Sequence, residues 1–163
     1  MLKYVDVLVG FQEIPDEISL CINISNCPNN CPGCHSPYLA KNIGIILNSA
    51  ELFRLIDKNK GITCVCLMGG DSNPVAINEL AKDIKTKNLK VGWYSGKDAL
   101  PLEIQLCNFD YVKLGAYVEH LGPLTSKTTN QIMFKLDHFP DRTDVTDITS
   151  KFWKDVHTVD SLQ

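Results

Sequence analysis

The chain has 163 residues, 16 Lys and Arg against 19 Asp and Glu, a formal charge of −3, and seven cysteines. That length fits one domain over residues 1–163, burying roughly 70% of its unfolded surface, so a core can form without disulfide staples. The slightly acidic balance and the lack of a long Lys/Arg run argue against nucleic acid or an anionic membrane as partner and leave small molecules or proteins.

No apolar run approaches the roughly 18 residues of a membrane span, and the opening "MLKYVDVLVGFQEIP" lacks the charged start, apolar middle and cleavage site of a signal peptide. The expected location is cytoplasmic. In a reducing compartment, an odd number of cysteines suits metal or redox chemistry better than a disulfide framework.

"EISLCINIS" (17–25) alternates Ile18, Leu20, Ile22 and Ile24 at period two and predicts a strand running into a cysteine-rich loop. "SAELFRLIDKNKG" (49–61) predicts a helix capped by Ser49, with Leu52, Leu55 and Ile56 on one face and Gly61 as its stop. "ITCVCLMGGD" (62–71) is nearly all apolar, as in a strand covered on both faces. "NPVAINELAKDIKTKN" (73–88) predicts a second helix, with Asn73 as cap, Pro74 at its first position and Ile77, Leu80, Ala81 and Ile84 in one stripe.

"LKVGWYSG" (89–96) alternates again, a weaker helix carries Leu102 and Leu106 after Pro101, and "FDYVKLGAY" (109–117) reads as a fourth strand. Further along, 130–137 suggests a strand and 144–156 a surface-docked helix. Strands alternating with helices imply parallel pairing through right-handed crossovers. The predicted class is α/β, a partial, laterally open (β/α) TIM-like barrel, because a full barrel takes about eight units and roughly 250 residues.

"ISNCPNNCPGCHSP" (24–37) places Cys27, Cys31 and Cys34 in one loop, with His35 directly after the last. A structural zinc takes four protein ligands, usually from two separated Cys-x-x-Cys pairs, and no second pair follows here. Cys64 and Cys66 share a strand face and are able to complete such a site, although cysteine is also a common buried hydrophobe. An iron-sulfur cube held by three thiolates instead keeps one iron open for a substrate or cofactor. Pro28, Pro32 and Gly33 suit a tight wrap of backbone around such a cluster.

Cys-x3-Cys-x2-Cys directly after a first strand resembles the signature of the radical S-adenosylmethionine (SAM) enzymes. That resemblance implies a 4Fe-4S cluster on Cys27, Cys31 and Cys34 whose open iron is chelated by the amino and carboxylate groups of SAM. It also places the barrel among those of the radical SAM type. Reductive cleavage of SAM would yield methionine and a 5′-deoxyadenosyl radical that abstracts hydrogen from carbon.

In the resembled family a Gly-Gly-Glu-type motif takes the amino group of SAM, and "MGGD" places Gly69, Gly70 and Asp71 there, with a shorter acid than the family's. Read alone, two glycines at a strand end are more often a turn. Ser95 is a candidate for the ribose or carboxylate of SAM, Lys113 for the carboxylate, and His35 for the adenine. Cys21, Cys64, Cys66 and Cys107 are assigned to the core, and His120, His138 and His157 to the surface. No Ser-His-Asp or paired-carboxylate constellation is legible, which fits chemistry carried by the cluster and SAM rather than by catalytic side chains.

Within that superfamily, "CPNNCPGCHSP", "MGGD", "VGWYSG" and "DYVKLGAYVEHLGPLTSKTTNQIMFKL" resemble the activating enzymes of the anaerobic (class III) ribonucleoside-triphosphate reductases, over residues 11–136. The resemblance implies an oxidoreductase that forms a glycyl radical on the reductase, its protein substrate, with electrons from a flavodoxin-like or ferredoxin-like donor. Two alternatives stay open. One is another small radical SAM enzyme, either an activase for a different glycyl-radical enzyme or a 7-carboxy-7-deazaguanine synthase; the other is a non-catalytic zinc or iron-sulfur module.

Overall fold

The computed structural model describes residues 1–154. Eight strands form one sheet: β1 (Lys3–Gly10), β2 (Ser19–Ile24), β3 (Ile45–Ile46), β4 (Cys64–Met68), β5 (Lys90–Tyr94), β6 (Tyr111–Leu114), β7 (Ile132–His138) and β8 (Thr143–Asp147). The helices α1 (Ser49–Lys58) and α2 (Pro74–Lys85) lie in the connections before and after β4. Strand order is β3-β1-β2-β4-β5-β6-β7-β8. The four central strands are parallel, with Cys21 beside Cys66 and Cys66 beside Gly92. β1 and β3 extend the sheet antiparallel on one side and β7 and β8 on the other.

The expectation of a partial, laterally open TIM-like barrel is overturned. A barrel of that type is built from parallel strands each followed by a helix, whereas this sheet mixes parallel and antiparallel strands, carries two α-helices among the described residues, and ends in the edges β3 and β8. After β6 the chain turns back into an antiparallel hairpin instead of adding another βα unit. The connection from β5 to β6 holds only a 3-10 turn at Leu106–Asn108, and Leu102 of the expected helix is fully exposed. Of the helix expected over 144–156, residues 155 and 156 lie outside the described residues, and the rest is instead β8 followed by a 3-10 turn at Thr149–Phe152.

Period-two alternation sends each central strand's residues to opposite faces. Leu20, Ile22, Ile24, Val65, Leu67, Val91, Trp93 and Val112 meet Leu52, Leu55 and Ile56 of α1 and Ile77, Leu80, Ala81 and Ile84 of α2. Both helices therefore pack on one face, and each fully buried Leu or Ile there contributes about 1.5–3 kcal/mol. The opposite face carries Cys21, Cys64, Cys66, Tyr111 and Met133, clustered with Ile14, Leu124 and Ile148. Gly92 makes room there: a Cβ on it would lie 2.9 Å from Ile14 Cδ1 and 3.2 Å from Cys66 Sγ.

The cap of α1 is Asn48, one residue before the expected Ser49; its Oδ1 accepts from Glu51 N–H at 2.9 Å. The cap of α2 is Asn73 as expected, accepting from Ala76 N–H at 3.0 Å ahead of Pro74. Cys21, Cys64 and Cys66 are buried, but Cys107 is exposed and does not belong to the core. His120 and His138 are exposed, the latter with its ring bonded to the Phe109 carbonyl and the Thr143 hydroxyl. His157 lies outside the described residues, among which no helix is long and apolar enough to cross a membrane.

Candidate functional site

Because β2, β4, β5 and β6 are parallel, their C-terminal ends share one edge of the sheet, where open α/β sheets bind ligands. β2 ends in the cysteine loop, β4 in Gly69-Gly70-Asp71, β5 in Ser95-Gly96 and β6 in Gly115. The loop is pinned where it leaves β2: Asn26 N–H donates to the Lys41 carbonyl at 3.0 Å and Cys27 N–H to that of Leu39 at 2.9 Å. Asn26, Asn30 and Gly33 take left-handed backbone conformations, which Asn and Gly tolerate best. The segment after β6 covers the loop, with the Tyr117 ring tilted at 58° to that of His35, centroids 5.2 Å apart, and Glu119 beside Gly33.

Cys27, Cys31 and Cys34 are all partly exposed and line one cavity of about 350 Å³ together with Met68, Gly69 and Tyr94. Pro37, Leu39 and Ala40, from a 3-10 turn that follows the cysteines, close its far wall. Among the described residues no three His, Cys, Asp or Glu side chains converge on the position of a single metal ion. The three thiols border a space rather than a point.

Gly69 has φ +100°, and its carbonyl is fixed by a 2.8 Å bond from Trp93 Nε1 while its N–H donates to Tyr94 O at 2.9 Å. A carbonyl has two lone pairs, so one remains. Gly70, at φ +89°, accepts from Asn73 N–H and is packed so tightly that a Cβ would fall 2.4 Å from Ile77 Cδ1.

The structure places Asp71, Ser95 and Lys113 together behind the cavity. The Asp71 carboxylate is 8% exposed and accepts from Ser95 Oγ at 2.6 Å, Gly96 N–H at 2.8 Å and Asn29 Nδ2 at 2.7 Å. Lys113 donates to the carbonyls of Gly115 (2.5 Å) and Ser95 (3.3 Å). Burial pulls its pKa down to about 8, against the opposing pull of the negative charges of Asp71, Cys31 and Cys27.

Of the residues singled out from sequence, Cys27, Cys31, Cys34 and Gly69 thus share the cavity, Asp71, Ser95 and Lys113 form a buried polar layer beside it, and His35 packs on Tyr117. Sequence reasoning missed Asn29, Tyr94 and Met68. The "NN" of the loop reads as turn chemistry, and nothing local shows that Asn29 reaches a residue 42 positions away. No protein-family model, curated protein or solved structure matches the chain.

Proposed function

We propose that this chain is a radical SAM activase that holds a 4Fe-4S cluster on Cys27, Cys31 and Cys34 and generates a glycyl radical on an anaerobic ribonucleoside-triphosphate reductase. One observation carries the reading: three partly exposed cysteines of a single short loop line one cavity, at the C-terminal edge of parallel strands, together with Gly69. A cube takes each thiolate on a different iron, so its ligands surround a volume instead of meeting at one atom. The donor set fits such a group and leaves its fourth iron free. A 4Fe-4S cluster held there and reduced by a flavodoxin-like or ferredoxin-like protein would supply the electron for reductive cleavage of SAM, and the hydrogen abstracted would come from a backbone glycine of the reductase.

The chain's own residues bind and orient. Gly69 lines the cavity with backbone alone, and its position is locked by the bond from Trp93 Nε1 to its carbonyl. Ile24, Leu39, Ala40 and Met68 give the cavity an apolar wall. Asp71, Ser95 and Lys113 tie the ends of β4, β5 and β6 to one another, so they act on a ligand through the backbone they hold.

Anaerobic purification and reconstitution should give a brown protein with about four irons and four sulfides per chain, lost when Cys27, Cys31 or Cys34 becomes Ala. Reductant, SAM and the reductase should then produce a protein-based radical by electron paramagnetic resonance. A colourless zinc protein rejects the cluster. An intact cluster that splits SAM but leaves the reductase without a radical rejects the assigned substrate.

A further inference from the structure

Asn29 stands between two acceptors. Its Nδ2 lies 2.7 Å from Asp71 Oδ2 and 3.6 Å from Cys27 Sγ, a hydrogen-bonding distance for the larger sulfur atom. Carboxylate and thiolate only accept, so the amide must turn its NH2 group toward both, one N–H for each. The side chain is held in a slot closed by Gly96, where a Cβ would lie 2.2 Å from Asn29 Nδ2 and 2.9 Å from its Cγ. Gly96 in turn donates its N–H to the same Asp71 oxygen at 2.8 Å. One residue of the cysteine loop is thus latched into the ends of β4 and β5.

We infer that Asn29 is a positioning residue that aims an amide N–H at Cys27 Sγ, and that Asp71 and Gly96 form the slot that aims it. The inference rests on the cluster assignment above. An N–H donated to a ligating sulfur withdraws negative charge from an iron-sulfur centre and raises its reduction potential. A cluster with three thiolates is already anionic and hard to reduce, so such a donor eases entry of the electron. Cys34 receives a comparable bond from the backbone N–H of Ser36 at 3.4 Å. The bond to Cys27 comes from a side chain and can be removed by substitution.

Two variants separate the amide from its slot. Asn29→Leu keeps the branched shape without the N–H. Gly96→Ala leaves the loop sequence intact but puts a methyl where Asn29 sits, and Gly96 lies outside the left-handed region, so alanine fits its backbone. Iron and sulfide are quantified after anaerobic reconstitution, and the reduction potential is then read by titration followed with electron paramagnetic resonance, with no SAM or reductase present. Both variants should load as the wild type does, and both potentials should move to more negative values. Loss of loading in Gly96→Ala, whose cysteine loop is unaltered, overturns the slot as a device that only aims the amide. A fully loaded Asn29→Leu cluster at the wild-type potential overturns the amide assignment while leaving the cluster standing, and a shift in Asn29→Leu alone overturns the slot. A wild-type chain that assembles no iron-sulfur cluster overturns both the inference and the function beneath it.

Discussion

Replacing Lys113 by Met tests the buried polar layer quantitatively. Lys113 is only 7% exposed, and its pKa falls from 10.5 to about 8, chiefly through burial. At about 1.36 kcal/mol per pH unit, holding the ammonium in place costs about 3 kcal/mol at neutral pH. The unfolded chain binds the proton more tightly than the folded one, so this cost is fully present below about pH 8. It is relieved as pH rises toward 10.5. Met fills the same volume without charge, but it strips the donor from the carbonyls of Gly115 and Ser95, which costs about 1–3 kcal/mol at every pH. The two chains should therefore be close in stability near neutral pH, with the wild type gaining about 3 kcal/mol on the variant by pH 10.5. Urea unfolding of both metal-free chains across that interval measures the difference. The thiols of Cys64 and Cys66, which burial keeps protonated, weaken both chains alike at alkaline pH and cancel. A difference that stays flat with pH refutes the reasoning.

Burial also sorts the seven cysteines: Cys27, Cys31, Cys34 and Cys107 should react with a thiol reagent in the folded metal-free chain, while Cys21, Cys64 and Cys66 should react only on unfolding, as peptide mapping would show. Gly61 and Gly70 share a left-handed backbone, but only Gly70 faces an obstacle, Ile77 Cδ1 at 2.4 Å. Gly70→Ala should consequently cost about 1–2 kcal/mol more than Gly61→Ala in urea unfolding. Burial raises the pKa of the Glu17 carboxyl, but hydrogen bonds from Lys90, Thr63 and Tyr111 outweigh it and leave a net depression. That stabilisation is present above the unfolded value near 4.5 and is lost as pH falls through the lower folded one. Glu17→Gln should thus destabilise by about 1–3 kcal/mol at neutral pH and lose less than the wild type on acidification, as urea midpoints would record.

Most of the central sheet was legible because its signals are local. Ile22 and Ile24 alternate with Cys21 and Asn23, Pro74 follows a capping Asn73, and the four parallel strand ends could be placed on one edge from their order alone. Closure of the sheet is different. A βαβα run fixes neighbouring parallel strands but not what pairs with the outermost ones, and that is decided by β1 and by the β7–β8 hairpin, contacts distant in sequence. β1 escaped notice because its half-covered position leaves Leu8 and Val9 exposed, which blurs the alternation. In the segment 144–156, read as a helix, Val145, Ile148 and Phe152 fall at helical spacing. In the structure Val145 is exposed on β8 while Ile148 and Phe152 pack on the second core, and the β-branched Thr143 and Thr146 favour the strand.

The site was half legible for a related reason. Three cysteines in eight positions announce themselves, whereas the groups that hold their loop are spread over three strand ends. Asp71 shows what that hides. In the resembled motif the acid is Glu, and from sequence a shorter side chain reads only as weaker reach toward a ligand. In the structure the short arm has a use of its own: it keeps the carboxylate back at the sheet edge, within 2.8 Å of both Gly96 N–H and Asn29 Nδ2, where it joins the cysteine loop to β5. The small residues at these strand ends then have two separate tasks. Gly69 offers backbone to the cavity, and Gly96 makes room for the side chain that steadies the cavity's thiols.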